Sequence, residues 1–365
     1  MILPESWSKE WIRKVSASNG AVDVGLVEKT IRALSLLEAL VTEDCPLIFK
    51  GGSCLLLHFS GGLGRRLSVD VDIMCPPGTD IEKYLRKCER KNGFVGAQLV
   101  ERASCNNVPK THAKFFYKVA YVATDRRDKI LLDVLLEDSH YENVEELPIK
   151  SPFLSTSGDD ILVSVPSKAD LLGDKLTAFA PNTTGIPFEK NGVDRSMEVS
   201  KQMFDVASLF DVVDDFETVL RVYKRIVDVE KSYRGLFDIT YKDVLMDTIG
   251  TCMSMGTRGD YCENVYRHLC DGISRVSGFI HTKKFTGESA LVDSAKAAYL
   301  AACLYSGQNR PERFTEKSIL QLADVRIDSN RYAKLNRLKR SNIEAFFYWC
   351  KVCELLNLVD LRREL

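Results

Sequence analysis

The stretch FKGGSCLLLHFSGGLGRRLSVDVDIM, residues 49–74, sets two glycines and a serine ahead of a leucine-rich run and closes on two aspartates one residue apart. An extended segment turns successive side chains to opposite faces. Ser68, Asp70 and Asp72 therefore fall on one side of SVDVDI, and Val69, Val71 and Ile73 on the other. The valine face belongs in a core, and both carboxylates project from the opposite face. Two carboxylates about 7 Å apart along a strand repel each other, and a divalent cation bridging them to a polyphosphate relieves the repulsion. Magnesium, with manganese as its substitute, is the hard, oxygen-preferring candidate. A DxD alone also describes an edge strand with two solvated aspartates, so its neighbours have to decide.

Gly51-Gly52-Ser53 stands between a short strand, PLIFK, and a helix, GSCLLLHF. Free N–H groups and the positive dipole end at a helix start attract phosphate, and small residues let it approach the backbone. The GxxxxGK[ST] spacing of a Walker loop is absent. Further on, LLDVLLE places Asp133 among leucines on an expected central strand. An unpaired carboxylate there would cost several kcal/mol, so it needs a cation, a metal or a site of its own. Together the three parts describe a metal site facing a triphosphate.

Around this stretch, VGLVEKTIRALSLLEALV (residues 24–41) has helical spacing, DIEKYLRKCERKN reads as a helix, and GFVGAQLVE, AKFFYKVAYVA and KILLDVLLE read as strands. After the Pro/Ser/Gly-rich LPIKSPFLSTSGDD the pattern turns helical, with segments near 167–180, 197–213, 216–229, 260–276, 289–305 and 340–356. The expected division is an α/β domain over 1–155 and a mainly helical domain over 156–365.

The 365 residues exceed the usual single-domain length, and 45% apolar with 28% charged residues is ordinary for a globular protein. A formal charge of -1 provides no global pull toward nucleic acid, so any such contact needs a local basic patch. The eleven cysteines sit mostly in apolar runs, as core thiols of a reducing compartment do. The CxxC of Cys350 and Cys353 lies in a helical apolar run without a second pair and reads as core. None of the five histidines has a metal-binding spacing. No apolar run reaches the roughly 18 residues of a membrane span and the first residues lack a signal-peptide pattern, so a cytoplasmic protein without a membrane partner is expected.

FKGGS, RRLSVDVDI, LLDVLLE, LLGDKLTA and KQMFDVASL, in this order, resemble the AbiEii family of nucleotidyltransferase toxins, which includes the MenT toxins. The resemblance implies an α+β fold: a DNA polymerase β-like nucleotidyltransferase domain, with a mixed sheet and flanking helices, followed by a mostly helical C-terminal domain. It implies a Mg-dependent transfer of a nucleotide from a nucleoside triphosphate to RNA, with tRNA acceptor ends as targets, and a cognate antitoxin. By the same likeness Asp70 and Asp72 match the metal-binding pair, Gly52 and Ser53 the phosphate turn, and Asp133 the later strand aspartate and third metal ligand. Lys175 matches a lysine that neutralises nucleotide phosphate; Asp205, off the apolar stripe of its helix, is a candidate to orient Lys175 or an incoming hydroxyl, with an ordinary helix-surface or capping role as the alternative. Lys114, on the expected metal face of its strand, and Arg66, just before the aspartate strand, are further candidates for phosphate. The sequence departs from the family pattern in the inserted SGGLGRR, in Leu67 where phenylalanine is usual, and in Gln202 where an acidic residue is usual. Two rival readings keep the fold: transfer to a small-molecule or protein hydroxyl, and a non-catalytic nucleotide-binding module.

Overall fold

The structure, a computed structural model, describes residues 1–59, 66–100, 109–122, 124–282, 284–328 and 332–356, and the backbone of 360–363. The inserted SGGLGR, with Arg65, lies outside the described residues. The chain forms two compact units, one of Met1–Ser167 with Gly278–Lys284 and one of Lys168–Ser277 with Phe285–Leu365.

The first unit runs α1 (Lys9–Ser18), α2 (Val24–Thr42), β1 (Ile48–Lys50), α3 (Gly51–His58), β2 (Val71–Cys75), α4 (Ile81–Cys88), β3 (Phe94–Val100), β4 (Lys110–Lys118), β5 (Arg127–Leu136), β6 (Val144–Pro148) and β7 (Leu162–Pro166). The side chain of Asp23 accepts from Leu26 N at 3.0 Å and starts α2. Val27, Ile31, Leu34 and Leu37, spaced three and four apart, are then fully buried.

Five strands form a mixed sheet in the order β1-β2-β5-β4-β3, with β2 and β5 parallel and the other neighbours antiparallel. One face carries Phe49, Val71, Ile73, Ala113, Phe115, Ile130, Leu132 and Val134, all buried, and α2 packs against β2 and β5. The DNA polymerase β-like expectation of a mixed sheet with flanking helices matches this layout.

Two details differ from the alternation read in the sequence. Strand β2 begins at Val71, not Ser68, because the backbone before it is bonded elsewhere. Leu67 N donates to Phe279 O, Thr30 Oγ1 to Ser68 O and Ser53 Oγ to Asp70 O. Asp70 thus leads into β2 without belonging to it. Strand β7 lies past the division expected at 155, in the part expected to be mainly helical, and pairs antiparallel with β6.

The second unit comprises α5 (Lys168–Ala178), the two-residue strands β8 (Glu189–Lys190) and β9 (Val193–Asp194), α6 (Ser196–Phe210), α7 (Phe216–Arg234), α8 (Tyr241–Gly256), α9 (Glu263–Val276), α10 (Gly287–Ser306), α11 (Glu316–Gln321), β10 (Val325–Asp328), α12 (Leu338–Ser341), α13 (Ile343–Leu355) and β11 (Asp360–Arg363). Helix α10 is central and packs against α6, α8 and α13 through buried alanines at 295, 297, 298, 301 and 302. Helix α8 was not anticipated, although Thr240 and Asp243 cap its start reciprocally. Two glycines dilute its apolar periodicity, and Gly256 is needed because an added Cβ would stand 2.7 Å from Trp349 Nε1. Cys350 and Cys353 are buried core residues of α13, and burial pushes the Cys353 thiol up to about 12. Among the described residues no helix is long and apolar enough to cross a membrane.

Candidate active site

The strand registers align Lys50 with Asp72, Asp72 with Asp133 and Asp133 with His112. Register partners point to the same side, so Lys50, Asp72, Asp133 and His112 form one row across four strands, on the face away from the buried valines. Adjacent strands lie about 4.8 Å apart, closer than the roughly 7 Å between alternate residues of one strand. Asp72 therefore has Asp133 as its nearest carboxylate-bearing neighbour by backbone position, with Asp70 one pleat repeat away. Cationic or proton-donating residues occupy both ends of the row.

His112 Nδ1 donates to Asp133 Oδ1 at 2.5 Å. The Asp133 side chain is 43% exposed, against the expectation of a carboxylate sunk among leucines. Leu132 and Val134 take the core face of β5 and leave Asp133 on the open one. Lys114 lies on the same face of β4, two residues from His112, in register with Leu131.

At the start of α3, Gly51 has φ +75°, a left-handed conformation that favours glycine, and Asp72 Oδ2 occupies the space its Cβ would need. An added Cβ on Gly52 would meet Arg66 Nη2 at 2.5 Å and Ser68 Oγ at 3.0 Å. The glycines thus make room for Asp72 and Arg66, and the hydrogen bond from Ser53 Oγ to Asp70 O ties the aspartate segment to the helix start. Arg66, only 6% exposed, donates from Nη1 to Leu67 O at 3.1 Å and is no solvated loop arginine.

A substitution pair isolates this close approach. Gly51→Ala combines left-handed strain of about 1 kcal/mol with a clash against the Asp72 carboxylate. Gly78→Ala has the same sign of φ (+82°) with nothing within 4 Å of the new Cβ. Thermal melts and transfer assays should show Gly78→Ala mildly destabilised and active, and Gly51→Ala at least tenfold less active. Equal activity of the two would mean that Asp72 is not held by this contact.

In the second unit, Lys175 of α5 and Asp205 of α6 form an ion pair of 3.0 Å, with side chains only 6% and 1% exposed. Gln202, one turn before Asp205, has its Oε1 buried without a hydrogen-bond partner among the described residues.

Sequence reading passed over Lys50 and His112. The alternation in AKFFYKVAYVA begins at Ala113, one residue past His112, whereas β4 begins at Lys110. Lys50 was quoted within FKGGS, but its place beside Asp72 depends on strand pairing. Among the described residues no three His, Cys, Asp or Glu side chains converge closely enough to enclose a metal unaided. The donors on the open face are hard carboxylate oxygens, which suits an ion that completes its shell with water and substrate phosphate.

A mixed sheet with carboxylates on adjacent strands, closed against a glycine-serine helix start, defines a nucleotidyltransferase-type domain. The chain belongs to the AbiEii nucleotidyl transferase toxin family of type IV toxin–antitoxin systems, whose family model matches residues 35–252. The matched segment holds Gly52, Ser53, Arg66, Asp70, Asp72, Lys114, Asp133, Lys175 and Asp205. Membership makes the protein a nucleotidyltransferase toxin and implies a nucleoside triphosphate substrate and an antitoxin partner. No curated protein matches the chain.

Proposed function

We propose that the protein transfers a nucleoside monophosphate from a nucleoside triphosphate to the 3′ end of RNA, with tRNA acceptor ends as the target, and so blocks translation. The observation that carries this reading is the in-register pair of Asp72 and Asp133 on adjacent parallel strands beside Asp70. Such a set of carboxylates is suited to holding magnesium or manganese, which would supply charge neutralisation at the α-phosphate and at the departing pyrophosphate.

In this reading Asp70 and Asp72 are the residues that would hold the ion. Asp133, oriented by His112 Nδ1–H, would serve as a third ligand or accept the proton of the attacking 3′-hydroxyl. The new bond joins the 3′-oxygen to the α-phosphorus, the bond from that phosphorus to the bridging oxygen breaks, and pyrophosphate leaves. Gly52, Ser53, Arg66 and Lys114 are assigned to phosphate charge. For Lys175 the same reading proposes a phosphate-neutralising ammonium, with Asp205 as its positioning carboxylate.

The test is incubation with magnesium, each α-labelled nucleoside triphosphate in turn and total tRNA, beside an Asp70→Ala/Asp72→Ala control. Label should enter tRNA only with the wild type. Triphosphate consumption without labelled RNA would replace this reading with transfer to a small-molecule or protein hydroxyl. Triphosphate binding without consumption would point to a non-catalytic module. His112→Ala should lower the rate roughly 10- to 100-fold, the usual cost of losing a group that orients a metal-site carboxylate, and His112→Asn, which keeps an N–H donor, should recover part of it. Full activity of His112→Ala in the same assay would remove His112 from the site.

A further inference from the structure

The near-neutral charge of the chain hides a local excess. Residues 325–342, VRIDSNRYAKLNRLKRSN, contain six lysines or arginines and one aspartate. They lie outside the segment matched by the family, 35–252.

The segment is anchored from beneath. Ile327 of β10, Leu335 of the 3-10 turn Ala333–Arg337 and Leu338 of α12 are buried. Asn336 clamps strand to turn: its Oδ1 accepts from Ile327 N at 2.9 Å and its Nδ2 donates to Ile327 O at 2.8 Å. With the apolar residues turned inward, Arg326, Arg337 and Arg340 are exposed, and none of their side chains has a hydrogen-bond or ion-pair partner among the described residues. Lys334 pairs with Asp260, and Lys339 Nζ donates to Val325 O at 2.9 Å. Elsewhere some exposed arginines are paired, as in Arg86 with Glu82, Arg258 with Glu288, Arg267 with Glu263 and Arg275 with Asp194, and others, such as Arg13 and Arg310, have no side-chain partner among the described residues; what sets this segment apart is three of the second kind within residues 326–340. The backbone register sets Arg362 of β11 opposite Arg326 and Asp360 opposite Asp328.

Three exposed guanidinium groups without side-chain partners on one clamped platform leave their N–H forks open to a polyanion. Their planar forks match phosphate oxygens two at a time. Ile327, Tyr332, Leu335 and Leu338 of the platform are buried, and phosphate contacts need no apolar anchor. We propose that Arg326, Arg337 and Arg340 form a docking surface for the phosphate backbone of the acceptor RNA. This inference rests on the RNA-acceptor reading.

The experiment uses the full chain carrying Arg326→Glu, Arg337→Glu and Arg340→Glu together, with Arg→Lys at the same positions as a charge-retaining control. Binding of total tRNA is measured by fluorescence anisotropy from about 50 to about 200 mM salt, a range over which phosphate contacts lose affinity steeply. The glutamate variant should melt as the wild type does and bind tRNA at least tenfold more weakly. Its plot of log affinity against log salt should be shallower by about two to three, and its KM for tRNA in the labelling assay should rise. The lysine variant should keep most of the affinity. A glutamate variant with wild-type affinity and salt slope overturns the platform while leaving RNA as acceptor. If the glutamate variant binds tRNA normally but loses a proteinaceous antitoxin, the surface is a protein interface and the proposal falls. A wild type that neither binds nor labels tRNA removes the platform and the RNA-acceptor reading together.

Discussion

Asp72→Asn in the full chain should melt close to the wild type and lose nucleotidyl transfer by on the order of a thousandfold, about 4 kcal/mol of transition-state stabilisation. The fold should survive because the buried face of β2 is carried by Val71 and Ile73, while Asp72 faces the open side. Activity should collapse because the substitution removes one negative charge from the row of Lys50, Asp72, Asp133 and His112 without changing its shape. Asp70→Asn should act in the same direction, and chelation of divalent cations should reproduce the loss in the wild type. Asp128→Asn is the control: this carboxylate lies on β5, near its start, and pairs with Lys29 at 3.1 Å, away from the row. The measurement is the initial rate of label transfer at saturating triphosphate. Rates within threefold of the wild type for both Asp70→Asn and Asp72→Asn would show that the chemistry is elsewhere.

Lys175→Ala should destabilise the protein by about 3–5 kcal/mol, the usual cost of removing one partner from a buried ion pair. Asp205 is then left 1% exposed without the ammonium 3.0 Å away. In a thermal scan this corresponds to a fall of on the order of 10 °C. Lys175→Met combined with Asp205→Leu should recover most of the stability, because two apolar side chains of similar volume carry no desolvation penalty. That double variant also separates structure from function. If it is stable but inactive, the pair acts in catalysis or binding; if stable and active, the pair is structural. A single Lys175→Ala variant within about 1 kcal/mol of the wild type would mean that the pair contributes little to the fold.

Much of this was legible locally. Helix α2 follows from spacing in VGLVEKTIRALSLLEALV and a capping aspartate, both properties of neighbouring residues. The alternation in SVDVDI set Asp72 on the side opposite the buried Val71 and Ile73 because a strand has a period of two whatever it pairs with, whereas Ser68, Val69 and Asp70 precede the strand. The motif order pointed to the family that the match over 35–252 establishes. Helix α8 was hidden by Gly250 and Gly256, whose usefulness depends on what packs against them, Trp349 in the case of Gly256.

What the sequence determined by itself was thus the identity of the carboxylates, the glycine-serine helix start and the side of the strand from which Asp72 projects. Only the tertiary structure decided who stands beside whom. Asp72 meets Asp133 through a parallel pairing of distant segments, His112 reaches Asp133 through the register of β4, and Gly51 is needed because Asp72 folds over it. Pairing register is non-local: it arises when the buried faces of several strands are satisfied at once, and no window of neighbouring residues contains that condition.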